Sequence, residues 1–287
     1  MDRISAFFIE NVISFLSCAD ALACSHLSTY WGRLGIKYAG LKRIKLVFAL
    51  PEGPYGQESV YCSANGHRFD FGFFQVRYIV SSVTVSKNIG LDAIGRSFKD
   101  LNMSEIERLV EHIKKSTGPT SLCLDGEIPN HPLFDKLLCS LKWVTSVASR
   151  NRAPVPTEQI QRLRWTETLE TLEIDHIQEE DAVLQKIVSS VSSSSRVKKI
   201  KLNVSRSIPG LQRQILSILL CGWIRNRRTG CGLRIYYDHN THLQEVLDGL
   251  KVKKEHDFVV HEGRRLRVEE THSNSYHYMI HFTVAER

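Results

Sequence analysis

Thr171-Leu172-Glu173-Ile174-Asp175 and Lys199-Ile200-Lys201-Leu202-Asn203-Val204 share one pattern, an apolar residue at every second place with a polar or charged one between. Period-two alternation marks a strand with one buried face and one open face. Between them Ala182 to Val191 carries apolar residues at helical spacing. Strand, helix, strand in that order fits two parallel neighbours joined by a crossover. If they are neighbours, the acids of the first and the lysines of the second share the open face. Exposed pairs of that kind are worth about 0–1 kcal/mol each.

The alternation of helix and strand extends in both directions. Upstream, a helix starts at Ser104-Glu105-Ile106-Glu107 with a plausible cap, and Ile106, Leu109, Val110 and Ile113 form its apolar face. Ser121 to Leu124 is extended, Leu133 to Leu141 helical, Trp143 to Val147 extended, and Ile160 with Leu163 suggests a further helical turn. Downstream, a helix over Gln212 to Arg225 precedes a strand over Leu233 to Tyr237. Strand starts recur roughly every 22 to 35 residues, near the range of leucine-rich and related solenoid repeats. The consensus of those repeats is not cleanly present, so the region is read as irregular and leucine-rich-repeat-like. Such units stack into a curved parallel sheet. A compact α/β sheet satisfies the same alternation.

The flanks read differently. Arg43 to Leu50 is a strand with Ile44, Leu46, Phe48 and Leu50 on one face. Asn65-Gly66 between β-type runs predicts a type I′ hairpin, and a further strand runs from Val76 to Val85. No site is read in this piece. At the carboxyl end Phe258–Val260, Leu266–Val268 and Tyr276–Val284 read as a three-stranded meander, suited to capping an open sheet edge. The expected fold is α+β or α/β. It comprises a short helical module over residues 1–41, a β-rich segment over 42–100, helix–strand units over 101–250 and a β-meander over 251–287.

The chain's 42% apolar and 24% charged content lies in the ordinary globular range and supports a sizeable core. No apolar stretch approaches the ~20 residues of a membrane span; Ile4 to Leu16 is interrupted by Glu10 and Asn11. Met1-Asp2-Arg3 carries no net positive charge, which argues against a signal peptide. The seven cysteines are odd in number, widely spaced and without a Cys-x-x-Cys pair, which fits free thiols in a reducing intracellular compartment, cytoplasmic or nuclear.

The first residues carry the most specific signal. Phe8, Val12, Phe15 and Leu16 follow helical spacing, Asp20 offers a cap for a second helix, and Leu27 to Leu34 forms a third segment. Ile4 leads the run, and Leu27-Ser28 with Trp31 closes it. This succession resembles an F-box. That domain opens on an apolar residue, continues as an apolar helix ending in leucine, then shows an Asp-Leu step and an apolar-Ser-x-x-Trp ending. The start Met1-Asp2-Arg3-Ile4 also resembles the lineage-expanded F-box families of nematodes. Ser5, Phe7 and Ala21 depart from the usual proline, glutamate and leucine. An ordinary helical hairpin packed on its own core accounts for the same spacing. The resemblance implies that Ile4, Phe8, Val12, Ile13, Leu16, Leu22, Leu27 and Trp31 dock on the Skp adaptor of a cullin–RING ubiquitin ligase. The remainder would then recruit a protein substrate, with no chemistry of its own.

Two charge blocks follow one another. Trp165 to Asp181 holds seven acidic residues and no Lys or Arg; Ala182 to Tyr237 holds eleven Lys and Arg and no acidic residue. Lys199, Lys201, Arg225, Arg227 and Arg228 make a candidate basic patch for a phosphate or nucleic acid, beside the alternative of a solvated face. Among the histidines, His277 and His281 lie about 13 Å apart along one strand, too far to share an ion. Asp238, His239 and His242 fall in an expected turn, so the histidines are read as surface residues. No Gly-x-Ser-x-Gly elbow or P-loop occurs, and Gly32, Gly35 and Gly40 make no dinucleotide fingerprint. The expectation is a non-catalytic interaction protein without a cofactor: the ligase subunit that the resemblance implies, or else a nucleic-acid- or phosphate-binding protein using the basic 182–237 face, or a scaffold without a ligase role.

Overall fold

The computed structural model describes residues 9, 12–13, 16, 18–27, 30–50, 59–74, 78–87, 89, 94, 96–116, 118–126, 132–153, 155–177, 182–194, 196–204, 209–226, 232–237, 240–249, 253–255, 258–261, 264–273 and 277–284. The fold is mixed α/β. The chain divides into two units, Met1–Leu122 with Asn130–Val144, and Cys123–Pro129 with Thr145–Arg287.

The first unit opens with helices α1 (Cys18–Ala23) and α2 (Tyr30–Ala39), joined through a 3-10 turn at Cys24–His26. Ile9, Ile13, Ala21 and Leu34 are buried together, with Leu16, Trp31, Tyr38 and Ala39 packed around them. Gly32 and Gly35 let the segments meet. A Cβ on Gly32 would stand 2.4 Å from the Leu27 carbonyl oxygen, and one on Gly35 would stand 2.5 Å from that of Ala21. The glycines that make no nucleotide motif thus set the distance between α2 and the α1 segment.

Strands β1 (Lys42–Ala49), β2 (Val60–Ala64), β3 (His67–Arg68), β4 (Tyr78–Ser86), β5 (Lys99–Leu101) and β6 (Thr120–Asp125) follow. β1 runs antiparallel to β2, with Leu46 level with Ala64, and parallel to β4, with Leu46 level with Val83. β6 lies beside β4, and β3 and β5 both pair with β2. The expected β2–β3 hairpin forms: Asn65 and Gly66 have φ of 53° and 79°, the two positive values of a type I′ turn. The Asn65 Oδ1 also accepts the Lys45 backbone N–H at 2.8 Å, extending the ladder to β1.

Helix α3 (Met103–Lys114) is capped by Asn102, not by Ser104 as its sequence suggests. Glu105 N–H donates to Asn102 Oδ1 at 2.9 Å, and Asn102 N–H donates to Glu105 Oε2 at 3.2 Å. Asn102 stands three residues ahead of Glu105, the spacing of a capping box, and both of its bonds are closed. Helix α4 (Pro132–Ser140) packs against α3. Between them and the sheet remains a cavity of about 30 Å³, lined by Phe48, Val85, Leu109, Val110, Phe134 and Leu137 among others.

In the second unit β7 (Val144–Arg150), α5 (Thr157–Arg162), β8 (Thr171–Ile177), α6 (Ala182–Ser192), β9 (Lys199–Val204), α7 (Pro209–Asn226) and β10 (Gly232–Tyr237) alternate. β7, β8, β9 and β10 are parallel neighbours in sequence order. One row aligns Val147, Leu172, Ile200 and Leu233; the next aligns Ser149, Ile174, Leu202 and Ile235. Leu172, Ile174 and Leu202 are fully buried, as are Val188 and Val191 of α6 and Ile215 of α7. Each helix packs on the next, α5 on α6 and α6 on α7. Helices therefore form a layer of consecutive neighbours, as the strands do. A Cβ on Gly222 of α7 would stand 2.3 Å from the Ser192 Oγ of α6.

Two elements exceed the reading from sequence. Helix α8 (Asn240–Gly249) replaces the turn expected around His242, and its Leu247 is fully buried. Leu243, Val246 and Leu247 have helical spacing, but the run is too short to stand out without a surface to bury against. The meander has four strands, β11 (Lys253–Glu255), β12 (Phe258–His261), β13 (Arg264–Ser273) and β14 (His277–Val284). β14 pairs antiparallel along β10, so the parallel run does not end in an open edge there.

Two substitutions test these contacts by chemical denaturation. Gly35→Ala places its methyl against a backbone oxygen and should cost about 1–3 kcal/mol despite alanine's better helix propensity. Gly40→Ala, whose nearest neighbour would be 3.5 Å away, is the control. Asn151 and Arg152 form a second turn with positive φ, 51° and 64°, closed by the Ala153 N–H to the Arg150 oxygen at 2.9 Å. Arg152→Gly should stabilise by up to about 1 kcal/mol, because glycine takes that conformation without Cβ strain.

Candidate functional site

The amino-terminal module separates its expected contact residues into two sets. Ile13 is fully buried in the module's core, so its side chain serves the fold and is not available to a partner. Leu16 and Trp31 are partly buried against the same core, and Val12 is half-buried. The Leu16 carbonyl also accepts a bond from Arg43 Nη2 at 3.1 Å. Leu22 and Leu27 are 55% and 53% exposed. Ile4 and Phe8 lie outside the described residues. The sequence reading missed Ile36, which is 62% exposed. Its signal was its phase. A helix that turns Leu34 inward carries the residue two places on to the opposite side. Among the described residues the exposed large apolar side chains are Leu22, Leu27, Ile36 and Met103, three of them on this module.

The charged face of the second unit neutralises itself. Lys199 is level with Thr171 and Lys201 with Glu173. Each lysine reaches forward along the strand, Lys199 Nζ to Glu173 Oε1 and Lys201 Nζ to Asp175 Oδ1 at 3.2 Å. Arg150 Nη2 stands 3.8 Å from the other Glu173 oxygen, and Lys198 bonds Glu170 at 2.7 Å. Arg213 of α7 pairs with Glu245 of α8. The acidic block thus answers the start of the basic block. Arg225 lies in the last turn of α7, and Arg227 and Arg228 fall outside the described residues.

Burial alone would raise the Glu173 carboxyl, but the hydrogen bond from Lys199 and the charges of Lys199, Lys201 and Arg150 hold it below the usual carboxylate range. Cys123 beside it is pushed up, chiefly by burial, with Arg150 opposing. Cys24, Cys62, Cys123, Cys139 and Cys221 are free thiols, and of these only Cys62 is fully buried. That burial raises its thiol well above the ordinary range, so it is unsuited to act as a nucleophile near neutral pH. Among the described residues no three His, Cys, Asp or Glu side chains come together as metal ligands, and no helix is long and apolar enough to cross a membrane.

A third cluster lies in the first unit, where no site was expected. The 3-10 turn Phe71–Phe74 stacks on the end of α3: the Phe74 and His112 rings are 4.4 Å apart and within 7° of parallel. Tyr78 hydroxyl is 3.1 Å from His112 Nδ1 and donates to the His112 carbonyl at 3.0 Å. Burial, then Lys115 and Arg108, lower the His112 pKa. Phe69 meets Phe71 edge to face at 5.0 Å.

No protein-family profile matches the chain, and no curated protein or solved structure matches it significantly.

The Glu173 site has a defined pH signature. Its folded pKa is lowered, so its contribution is present above the unfolded value near 4.3 and is lost as pH falls through the folded value. Glu173→Gln should leave stability within about 1 kcal/mol at pH 7, because Lys199 is 46% exposed, and should flatten the acid limb of the stability curve. Equilibrium unfolding from pH 3 to 7 measures both.

Proposed function

We propose that the chain is a non-catalytic interaction protein, the substrate-recognition subunit of a Skp–cullin–F-box ubiquitin ligase. The observation that carries this reading is the placement of Leu22, Leu27 and Ile36, 53–62% exposed on a small helical module. Large apolar side chains left in water are a liability to a lone domain and a resource to one that docks. Burying a leucine or isoleucine contributes about 1.5–3 kcal/mol, so three of them suffice for a specific apolar contact. The F-box-like order of residues 4 to 31 supplies the identity of the partner, the Skp adaptor. The helix–strand region is proposed as a leucine-rich-repeat-like receptor for a protein substrate. Its strands and helices advance in sequence order, a property shared with solenoids and absent where strand order reverses. The proposed setting is intracellular, cytoplasmic or nuclear.

Co-purification with the Skp adaptor tests the reading. The full chain should bind, and Leu22→Asp/Leu27→Asp should weaken binding by about 100-fold or more, since each truncation removes at least about 1.5 kcal/mol and adds a charge. Met103→Asp, equally exposed but outside the module, should bind normally. A well-folded full chain that does not bind the adaptor would reduce the module to a helical hairpin.

A further inference from the structure

We propose that the turn Phe71–Phe74, with the adjoining side of α3, is a binding site for a single-stranded polynucleotide. Three cations stand over two rings of this one turn. Arg108 Cζ lies 4.2 Å from the centre of the Phe71 ring, Lys42 Nζ lies 4.4 Å from that of Phe73, and Lys99 Nζ lies 5.9 Å from Phe71. Lys99 is committed to Glu105 at 2.6 Å, and Glu105 is itself the closing member of the α3 cap. Arg108, Lys42 and Lys115, all exposed, form no ion pair among the described residues. The acids close by have other work: Glu111 pairs with Lys114, and Asp70 accepts the Gly72 backbone N–H. Cationic charge is therefore left on offer here, whereas Lys198, Lys199 and Lys201 are each answered by a carboxylate.

The rings select the ligand class. A guanidinium backed by an aromatic ring is held in place, and its outer side is a platform on which a base can stack. Lys42 over Phe73 and Lys115 at the carboxyl end of α3 then meet phosphates. Two ring–cation pairs on one turn suit a ligand that alternates flat π faces with anions, as a single strand does. An acidic peptide would meet the cations and leave the stacked platform without a counterpart. The chain's net charge of +7 favours encounter with a polyanion. Leu22, Leu27 and Ile36 take no part, so this site stands or falls independently of adaptor docking.

Fluorescence anisotropy with an oligothymidylate of about 12 nucleotides tests it. Binding is expected at about 50 mM salt, with log affinity falling against log salt with a slope of about −1.4, from two phosphate contacts at about 0.7 each. Arg108→Ala should weaken binding about tenfold or more. Arg108→Lys, which keeps the charge and removes the planar platform, should fall between the two, with circular dichroism unchanged in both variants. Absence of binding at that salt overturns the site, as does binding that survives Arg108→Ala combined with Lys42→Ala. Equal affinity for a polyglutamate peptide of the same length would assign the surface to acidic proteins and overturn the polynucleotide.

Discussion

The strands β8 and β9 each have one apolar face, and that constraint organises the second unit. Leu172, Ile174 and Leu202 are fully buried, while Glu173, Asp175, Lys199 and Lys201 alternate with the buried residues. A doubly covered parallel sheet needs near-continuous apolar strands. Alternating strands have only one face to cover, so α6 and α7 meet side by side in sequence order. Each buried leucine or isoleucine contributes about 1.5–3 kcal/mol, against about 0–1 kcal/mol for each exposed ion pair. The apolar rows therefore set the register, and the charges follow it. Once Leu172 is level with Ile200, the Glu173–Lys199 and Asp175–Lys201 diagonals are within reach.

The same physics redistributes the charge that looks prominent along the chain. A run of acids followed by a run of bases suggests two surfaces of opposite sign when read linearly. Parallel pairing of β8 with β9 sets Glu170, Glu173 and Asp175 of one run beside Lys198, Lys199 and Lys201 of the other. Around Phe71 and Phe73 the arrangement differs, with cations set over rings. Those rings hold Lys42 and Arg108 without neutralising them, a difference in kind from the carboxylate partners of Lys199 and Lys201.

In the amino-terminal module, packing sorts apolar residues that look equivalent in sequence. Ile13 and Leu34 turn inward, and Leu22, Leu27 and Ile36 turn outward. Gly32 and Gly35 let backbone approach backbone where these segments meet. The exposed remainder is what gives the module a surface to offer.

Local chemistry was legible in the amino acids alone. The alternation of β1, β8 and β9, the Asn65–Gly66 turn, and the helical spacing of α3, α6 and α7 are set by contacts within a few residues, so a linear reading finds them. The Asn102 cap was missed because Ser104 offers the same chemistry, and only the closed pair of bonds with Glu105 separates them. Helix α8 depends on packing against α7, and β11 is a three-residue edge strand too short to stand out in sequence. Tertiary structure alone decided which apolar residues of the first helices stay in water, which lysines are paired, and that Phe71, Phe73, Arg108 and Lys42 meet. Each of these is a contact between residues distant in sequence, and side-chain periodicity carries no information about which distant element will arrive.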